Sequence, residues 1–232
     1  MKIRQIIKDV FLKSTGNVSY AQCGEDLIID FIFSELKIAS PNYLDLGAHH
    51  PSYLNNTYKF YLKGSRGVNV EPDITLMDNF YKQRPNDINI NAGVGINSLK
   101  ESDFYLMSAK TLNTFSKSEA YKIQEEGSYK IEKVVKVKLI TANELLEHYF
   151  SSTGLDLLSI DVEGIDFEIV RGLNYQNFRP KIICAETLEF AGNRKGKKSL
   201  ELINFIKDQG YMYYADTYIN TIFVDQNIWD KI

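Results

Sequence analysis

"YLDLGAHHPSYLNNT" spans residues 43–57 and changes character halfway along. Tyr43, Leu44 and Leu46 read as a buried strand with one carboxylate, Asp45, set inside it. Gly47 and Ala48 follow, then two histidines, a proline and a run of small polar residues. A strand that runs into a glycine turn makes a ligand cradle. In open parallel sheets, ligands bind beyond the carboxyl ends of the strands, where the strand order reverses. Small residues at 47 and 48 let a ligand approach the backbone.

On both sides of this stretch, strands and helices alternate. "EDLIIDFIFSEL" (25–36) predicts a helix, "NYLDLG" (42–47) a strand, and "NNTYKFYLKG" (55–64) a short helix closed by Gly64. "RGVNVEP" (66–72) predicts a strand, "DITLMDNFYKQR" (73–84) a helix capped by Asp73, and "DININA" (87–92) a third strand. The rhythm resumes with strand "LDLLSIDVEG" (155–164), helix "IDFEIVRGL" (165–173), strand "KIICAET" (181–187) and helix "KSLELINFIKDQG" (198–210). "YMYYADTY" and "TIFVDQ" predict a closing antiparallel pair. Such alternation predicts an α/β fold, a mostly parallel sheet with helices on both faces.

Residues 97–140 break the pattern. "DFYLMS" and "EKVVKVKLI" read as strands around the polar stretch "KTLNTFSKSEAYKIQEEGSYK", expected to be a loop or lid, before a helix at "TANELLEHY" (141–149) capped by Thr141. At the start, Ile3, Ile6, Ile7, Val10 and Phe11 fall at helical spacing, and Lys8 and Asp9 interrupt any signal-peptide core. The expected organisation is an N-terminal helical segment (1–40) packed on the core and one domain (41–232) that carries 97–140 as an insertion or lid.

The second strand ends in Glu71, where a carboxylate is placed to accept hydrogen bonds from both hydroxyls of a ribose. A dinucleotide is a poor match. Its pyrophosphate needs a G-x-G-x-x-G turn, whereas this chain reads G-A-H-H-P-S, and Pro51 removes a backbone donor. A nucleoside ligand without phosphate fits, and S-adenosylmethionine is such a ligand. The bland alternatives are that Asp45 hydrogen-bonds the turn's own amides and that Gly47 is needed only for its backbone angles. By the same reasoning, a strand-end carboxylate before proline, Glu71, has little structural purpose.

The totals narrow the function classes. The chain has 232 residues, a formal net charge of −3 and 44% hydrophobic residues, an ordinary globular composition with no basic block to attract nucleic acid. No apolar run approaches the length of a membrane span, so no integral membrane contact is expected. Cys23 and Cys184 lie far apart, and reduced thiols in the cytoplasm are the expectation.

Several of these motifs occur in an order that resembles the FkbM family of S-adenosylmethionine-dependent methyltransferases. They are "YLDLGAHHPSYLNNTYKFYLKGSRGVNVEPD", "RPNDININAGVG", "LLSIDVEGIDFEIVRGL" and "KIICAETLE". "SYAQCGEDLIIDFIF" resembles the segment that often precedes that domain. The resemblance implies a Rossmann-like class I methyltransferase fold, with a seven-stranded sheet whose last strand is antiparallel. It also implies O-methylation, often of sugars in surface glycans or of natural products. The implied acceptor is a sugar-containing small molecule, nucleotide-sugar or glycan. The expected cofactor-binding set is Asp45, Gly47, Ala48, His49, Glu71, Pro72, Asn91, Ala92 and Asp161.

Methyl transfer to a hydroxyl needs alignment and somewhere for the proton to go. "SIDVEG" places Asp161 and Glu163 at the end of the fourth parallel strand, and Glu186 ends its neighbour. Asp161 and Glu186 on adjacent strands are near enough to share a hard cation such as Mg²⁺. Alternatively Asp161, Glu163 or His49 acts as general base unaided, or Asp161 and Glu163 merely cap the following helix. Tyr121 and Tyr129 are candidates to stack on a sugar ring. A binding protein that keeps the fold without catalysis is the competing class, and the clustered carboxylates argue against it.

Overall fold

The computed structural model describes residues 16–97, 99–162, 164–188 and 196–232. The proposed amphipathic helix at 3–11 and the candidate base Glu163 lie outside them.

In chain order the elements are α1 (Glu25–Glu35), β1 (Tyr43–Leu46), α2 (Tyr58–Leu62), β2 (Gly67–Val70), α3 (Ile74–Gln83), β3 (Ile88–Ile90), β4 (Gly93–Gly95) and β5 (Glu101–Met107). A 3₁₀ turn (Lys110–Leu112), α4 (Lys117–Glu125), β6 (Ile131–Thr141), α5 (Ala142–Phe150), β7 (Leu157–Ile160) and α6 (Asp166–Gly172) follow. The chain ends with β8 (Ile182–Glu186), α7 (Leu200–Asp208), β9 (Tyr211–Asp216), β10 (Asn220–Asp225) and α8 (Gln226–Trp229).

Seven strands form one sheet in the order β3-β2-β1-β7-β8-β10-β9. All neighbours are parallel except β10, which runs antiparallel to both β8 and β9. The last strand in the chain is therefore the reversed one, and it lies between β8 and β9. The four residues of β1 are all buried, as expected of a central parallel strand covered on both faces. The pleat sends Leu44 and Leu46 to one side, against Val68, Ile160 and the buried faces of α5, α6 and α7. Tyr43 points to the other side, against Ile29, Ile32 and Phe33 of α1 and Phe60 of α2. Asp45 shares that side of the pleat, at the carboxyl end of the sheet.

The stretch 110–130, expected as a loop or lid, is not a loop: it contains the 3₁₀ turn and helix α4. The strands expected on either side of it, β5 and β6, join β4 in a second sheet of order β4-β6-β5. Ser116 caps α4 by accepting from the Glu119 N–H, and Ala120 and Ile123 pack on Tyr105 and Met107 of β5. The helix escapes notice because so few of its residues are apolar, and it becomes stable only against the sheet. β4 was likewise not anticipated. Its Gly93 packs closely under Phe115: a Cβ there would lie 2.2 Å from Cζ of Phe115, so the ring would have to shift. Thr141 caps α5 in a full capping box with Glu144, as the sequence suggests. No helix among the described residues is long and apolar enough to cross a membrane.

Candidate active site

The strand order reverses between β1 and β7, and their carboxyl ends are in backbone contact. The Asp161 N–H donates to the Leu46 carbonyl at 3.0 Å, and the Gly47 and Ala48 N–H groups both donate to the Val70 carbonyl at 3.0 Å. Gly47 has φ +77, and a Cβ there would fall 1.7 Å from the Asp161 carbonyl oxygen. Glycine is thus demanded by the approach of β7 as well as by the backbone angle.

The carboxylates divide the work differently from the sequence-based expectation. Glu71, not Asp45, secures the turn: its Oε2 accepts from the His49 N–H at 3.0 Å and its Oε1 from the Asp73 N–H at 2.7 Å. The expectation that Glu71 lacks structural purpose is therefore corrected. His49 takes the left-handed conformation (φ 51) that brings its N–H to this carboxylate. Burial pushes the Glu71 carboxyl up to about 8, aided by the charges of Asp73 and Asp161 and opposed by the two N–H donors. Asp45 instead holds the next loop, accepting from Thr57 Oγ1 at 2.9 Å and Asn55 Nδ2 at 3.2 Å. Burial raises its pKa, while the Arg84 charge and these hydrogen bonds lower it. Arg84 is fully buried. It is paired through Nε with Asp87 at 2.8 Å and donates through Nη1 to Thr57 Oγ1 at 3.0 Å. His50 is structural, its Nδ1 accepting from the N–H groups of Ser52 and Tyr53.

Asp161 follows β7 and Glu186 ends β8, and the pairing of Ile160 with Ala185 sets them side by side. Glu186 lies close enough to Asp161 to act on its carboxyl through hydrogen bonding. Burial pushes Asp161 up to about 7, and the charges of Asp166 and Asp45 push the same way against the Glu186 hydrogen bond. Asp161 is not the cap of α6. That turn is secured by Asp166, whose Oδ1 accepts from the Val162 N–H at 3.1 Å. Among the described residues there is no cluster of three or more His, Cys, Asp or Glu side chains arranged to hold a metal ion.

These ends open into a cleft of about 290 Å³. Asp45, Gly47, Ala48, His49, Glu71, Pro72, Asp161 and Glu186 line it. Asn91 and Ala92 are not among the lining residues. The Asn91 amide donates to the carbonyls of Glu71 and Pro72 at 2.9 and 3.0 Å, and so shapes the loop behind the cleft. Tyr121 and Tyr129 do not line it either. Sequence reasoning missed the contribution of the segment between β5 and β6, whose Lys110, Asn113 and Phe115 form part of the wall. Asn113 Nδ2 donates to Asp73 Oδ2 at 3.3 Å, which ties the 3₁₀ turn to the start of α3. It also missed Gln22, Asn56 and Ser159. A polar run reaching a strand end was the available signal for Asn56; none existed for Phe115. Burial lowers the pKa of His49, with the charges of His50 and Lys110 acting in the same direction, so its imidazole is neutral at pH 7.

A reversed seventh strand, a glycine turn after β1, an acidic end to β2 and a cleft over the reversal point define the class I methyltransferase architecture. The model of the methyltransferase FkbM domain matches residues 45–213. The chain belongs to the FkbM methyltransferase family, and the domain is that of an S-adenosylmethionine-dependent methyltransferase. Among curated proteins none matches. Solved structures similar to it include a methyltransferase FkbM from Methylobacillus flagellatus (11% identity, TM-score 0.45), of which the chain spans 44% while 80% of the chain is covered. Another is a TehB-like SAM-dependent methyltransferase from Corynebacterium glutamicum (10% identity, TM-score 0.45, 96% of each chain). A third is the magnesium protoporphyrin IX methyltransferase of Synechocystis with bound SAM (10% identity, TM-score 0.36, 95% of this chain and 94% of that one).

The lining suits S-adenosylmethionine chemically. Asp45, Glu71, Asp161 and Glu186 present carboxyl groups to a ligand that carries a sulfonium charge, while Val94, Leu112 and Phe115 offer apolar surface for a flat base.

Proposed function

We propose that the protein methylates a hydroxyl oxygen of a sugar-containing acceptor, whether a free sugar, a nucleotide-sugar or a glycan. The observation that carries this reading is the meeting of Asp161 and Glu186 at the neighbouring ends of β7 and β8, where both side chains line the cleft. Bound S-adenosylmethionine supplies a methyl carbon that an incoming oxygen displaces from sulfur. A sugar hydroxyl holds its proton far above neutrality, so it becomes a competent nucleophile only as that proton leaves. Asp161, with Glu186 beside it, takes up the proton of the hydroxyl as the O–C bond forms and the C–S bond breaks. Gly47 and Ala48 let the donor lie against the backbone, and Glu71 receives the ribose hydroxyls on its remaining lone pairs. Neutral His49 and Glu163 are rival bases.

A divalent cation such as Mg²⁺ held by Asp161 and Glu186 is the second way to acidify the hydroxyl, and it rests on the same two side chains facing one cleft. Two free cysteines, one exposed and one buried, support a cytoplasmic setting.

The test is release of S-adenosylhomocysteine from S-adenosylmethionine over a panel of monosaccharides, nucleotide-sugars and bacterial oligosaccharides. With the best acceptor, Asp161→Asn should keep the donor affinity and lower kcat by about 10²–10⁴-fold. A folded Asp161→Asn protein that turns over at the wild-type rate refutes the assignment. Activity lost in EDTA and restored by Mg²⁺ selects the metal reading, and full activity in EDTA selects Asp161 as the unaided base.

A further inference from the structure

"SYAQCGED" (19–26) lies before the first strand and outside the residues of the family match, and the scheme above gives it no task. It is nevertheless part of the site. At one end the Asn55 N–H, in the loop after β1, donates to the Tyr20 carbonyl at 2.9 Å, and Lys59 Nζ donates to the Val18 carbonyl at 3.1 Å. Asp26, fully buried, pins the segment by accepting from Ser19 Oγ at 2.5 Å and the Tyr20 N–H at 2.8 Å. At the other end Glu25, also fully buried, accepts from Thr217 Oγ1 at 2.6 Å, Asn220 Nδ2 at 2.9 Å and the Cys23 N–H at 2.8 Å. Asn220 opens β10 and is the register partner of Glu186 on β8.

The two anchors therefore stand on opposite sides of β7, one beside β1 and the other beside β8. The chain between them passes over the carboxyl ends of the strands that carry Asp45, Asp161 and Glu186. Gln22, between the anchors, lines the cleft. Two fully buried carboxylates are an expensive way to tether a chain end, because each must be repaid by hydrogen bonds across elements. They make sense as latches that fix a strap in one place.

The cleft has two halves. Gly47, Ala48, Glu71 and Pro72 lie over β1 and β2, the side of the nucleoside. Gln22, Asn56, Ser159 and Glu186 lie over β7 and β8, where the Asn56 amide donates to Ser159 Oγ at 3.2 Å.

We infer that the strap 20–25 is one wall of the acceptor subsite. In that subsite the amides of Gln22 and Asn56 hydrogen-bond the hydroxyls flanking the one that is methylated, and Glu25 is a positioning residue that holds Gln22 in place. The inference rests on the sugar reading of the acceptor. The Gln22 amide both donates and accepts, as a hydroxyl does, while Asn56 Nδ2 already donates to Ser159 Oγ and Cys184 Sγ and leaves its Oδ1 to accept, so the two amides beside a carboxyl pair match a polyol. An acceptor that lacks a partner hydroxyl leaves an amide unpaired and is rejected.

The test uses the full chain and a set of bisubstrate analogues. In these, nitrogen replaces the sulfur of S-adenosylhomocysteine and an ethylene linker joins it to each hydroxyl in turn of methyl gluco-, galacto- and mannopyranosides. By calorimetry, at least one analogue should bind the wild type about tenfold or more tightly than the parent amine without sugar. Gln22→Ala, Asn56→Ala and Glu25→Gln should each lose most of that gain, with the affinity for S-adenosylhomocysteine kept within about twofold. Gln22 is exposed at the mouth of the cleft, so its variant decides the matter even where Glu25→Gln fails to fold. A full sugar gain in Gln22→Ala overturns the strap while leaving the sugar reading intact. A parallel loss of S-adenosylhomocysteine affinity in Gln22→Ala places the strap on the donor and also overturns it. No gain from any sugar in the wild type overturns the sugar reading and the subsite with it.

Discussion

Replacing Gly47 with alanine tests the closest packing in the site. The added Cβ would lie 1.7 Å from the Asp161 carbonyl oxygen. An ordinary carbon–oxygen contact is about 3.3 Å, so the ends of β1 and β7 must part by about 1.6 Å. The bond from the Asp161 N–H to the Leu46 carbonyl, now 3.0 Å, does not survive that displacement. Three costs add: about 1–2 kcal/mol for a side chain at positive φ, about 1 kcal/mol for the lost hydrogen bond and about 1–3 kcal/mol for the strain of overpacking. The sum, about 3–6 kcal/mol, is a large part of the stability of a typical domain. Gly154→Ala is the control, because Gly154 also has positive φ (+70) but no atom within 4 Å of the would-be Cβ. It should cost only the first of these amounts. Urea unfolding followed through the single tryptophan, Trp229, reads both variants. The melting temperature of Gly47→Ala should fall by about 6–24 °C. If Gly47→Ala costs no more than Gly154→Ala, the contact between the strand ends is not what demands glycine, and the reasoning fails.

Two further outcomes follow from the buried charges. Burial raises Glu71 to about 8, Asp161 to about 7 and Asp166 to about 6, so each binds its proton more tightly in the folded chain than in the unfolded one. The stability they contribute is present below the unfolded carboxylate values and is lost as pH rises through the folded values. The ligand-free protein should therefore melt at a lower temperature at pH 8.5 than at pH 5.5, and Glu71→Gln should flatten that slope. Identical slopes in scanning fluorimetry would exclude Glu71 as a source. Arg84→Met should cost about 3–5 kcal/mol by stranding Asp87 in the core, and Asp87→Asn in the same chain should recover part of it. A single-variant cost below about 1 kcal/mol in urea unfolding would mean that the buried pair does not hold this corner together.

Local rules of the chain were enough to read the alternation of strands and helices, and with it the parallel sheet. Apolar period, caps such as Asp73 and Thr141, and the glycines that close α2 and α7 all act within a few residues, so they are visible in a linear string. The glycine turn after β1 and the acidic ends of β2, β7 and β8 were legible for the same reason: a strand end is a place that the sequence marks. The pairing of Asp161 with Glu186 was also within reach, because neighbouring parallel strands bring their ends together.

Other features were decided by distance. Glu71 rather than Asp45 holds the turn because the His49 N–H points across to the end of β2, a direction that no spacing in the chain encodes. Helix α4 and strand β4 exist only because the second sheet covers apolar side chains too few to be noticed alone. Gln22 reaches the cleft through two latches, one of which joins Glu25 to Asn220 from opposite ends of the sequence. Hydrogen bonds between elements are chosen by which donors the finished fold leaves unpaired, and that choice is made only when the layers have closed.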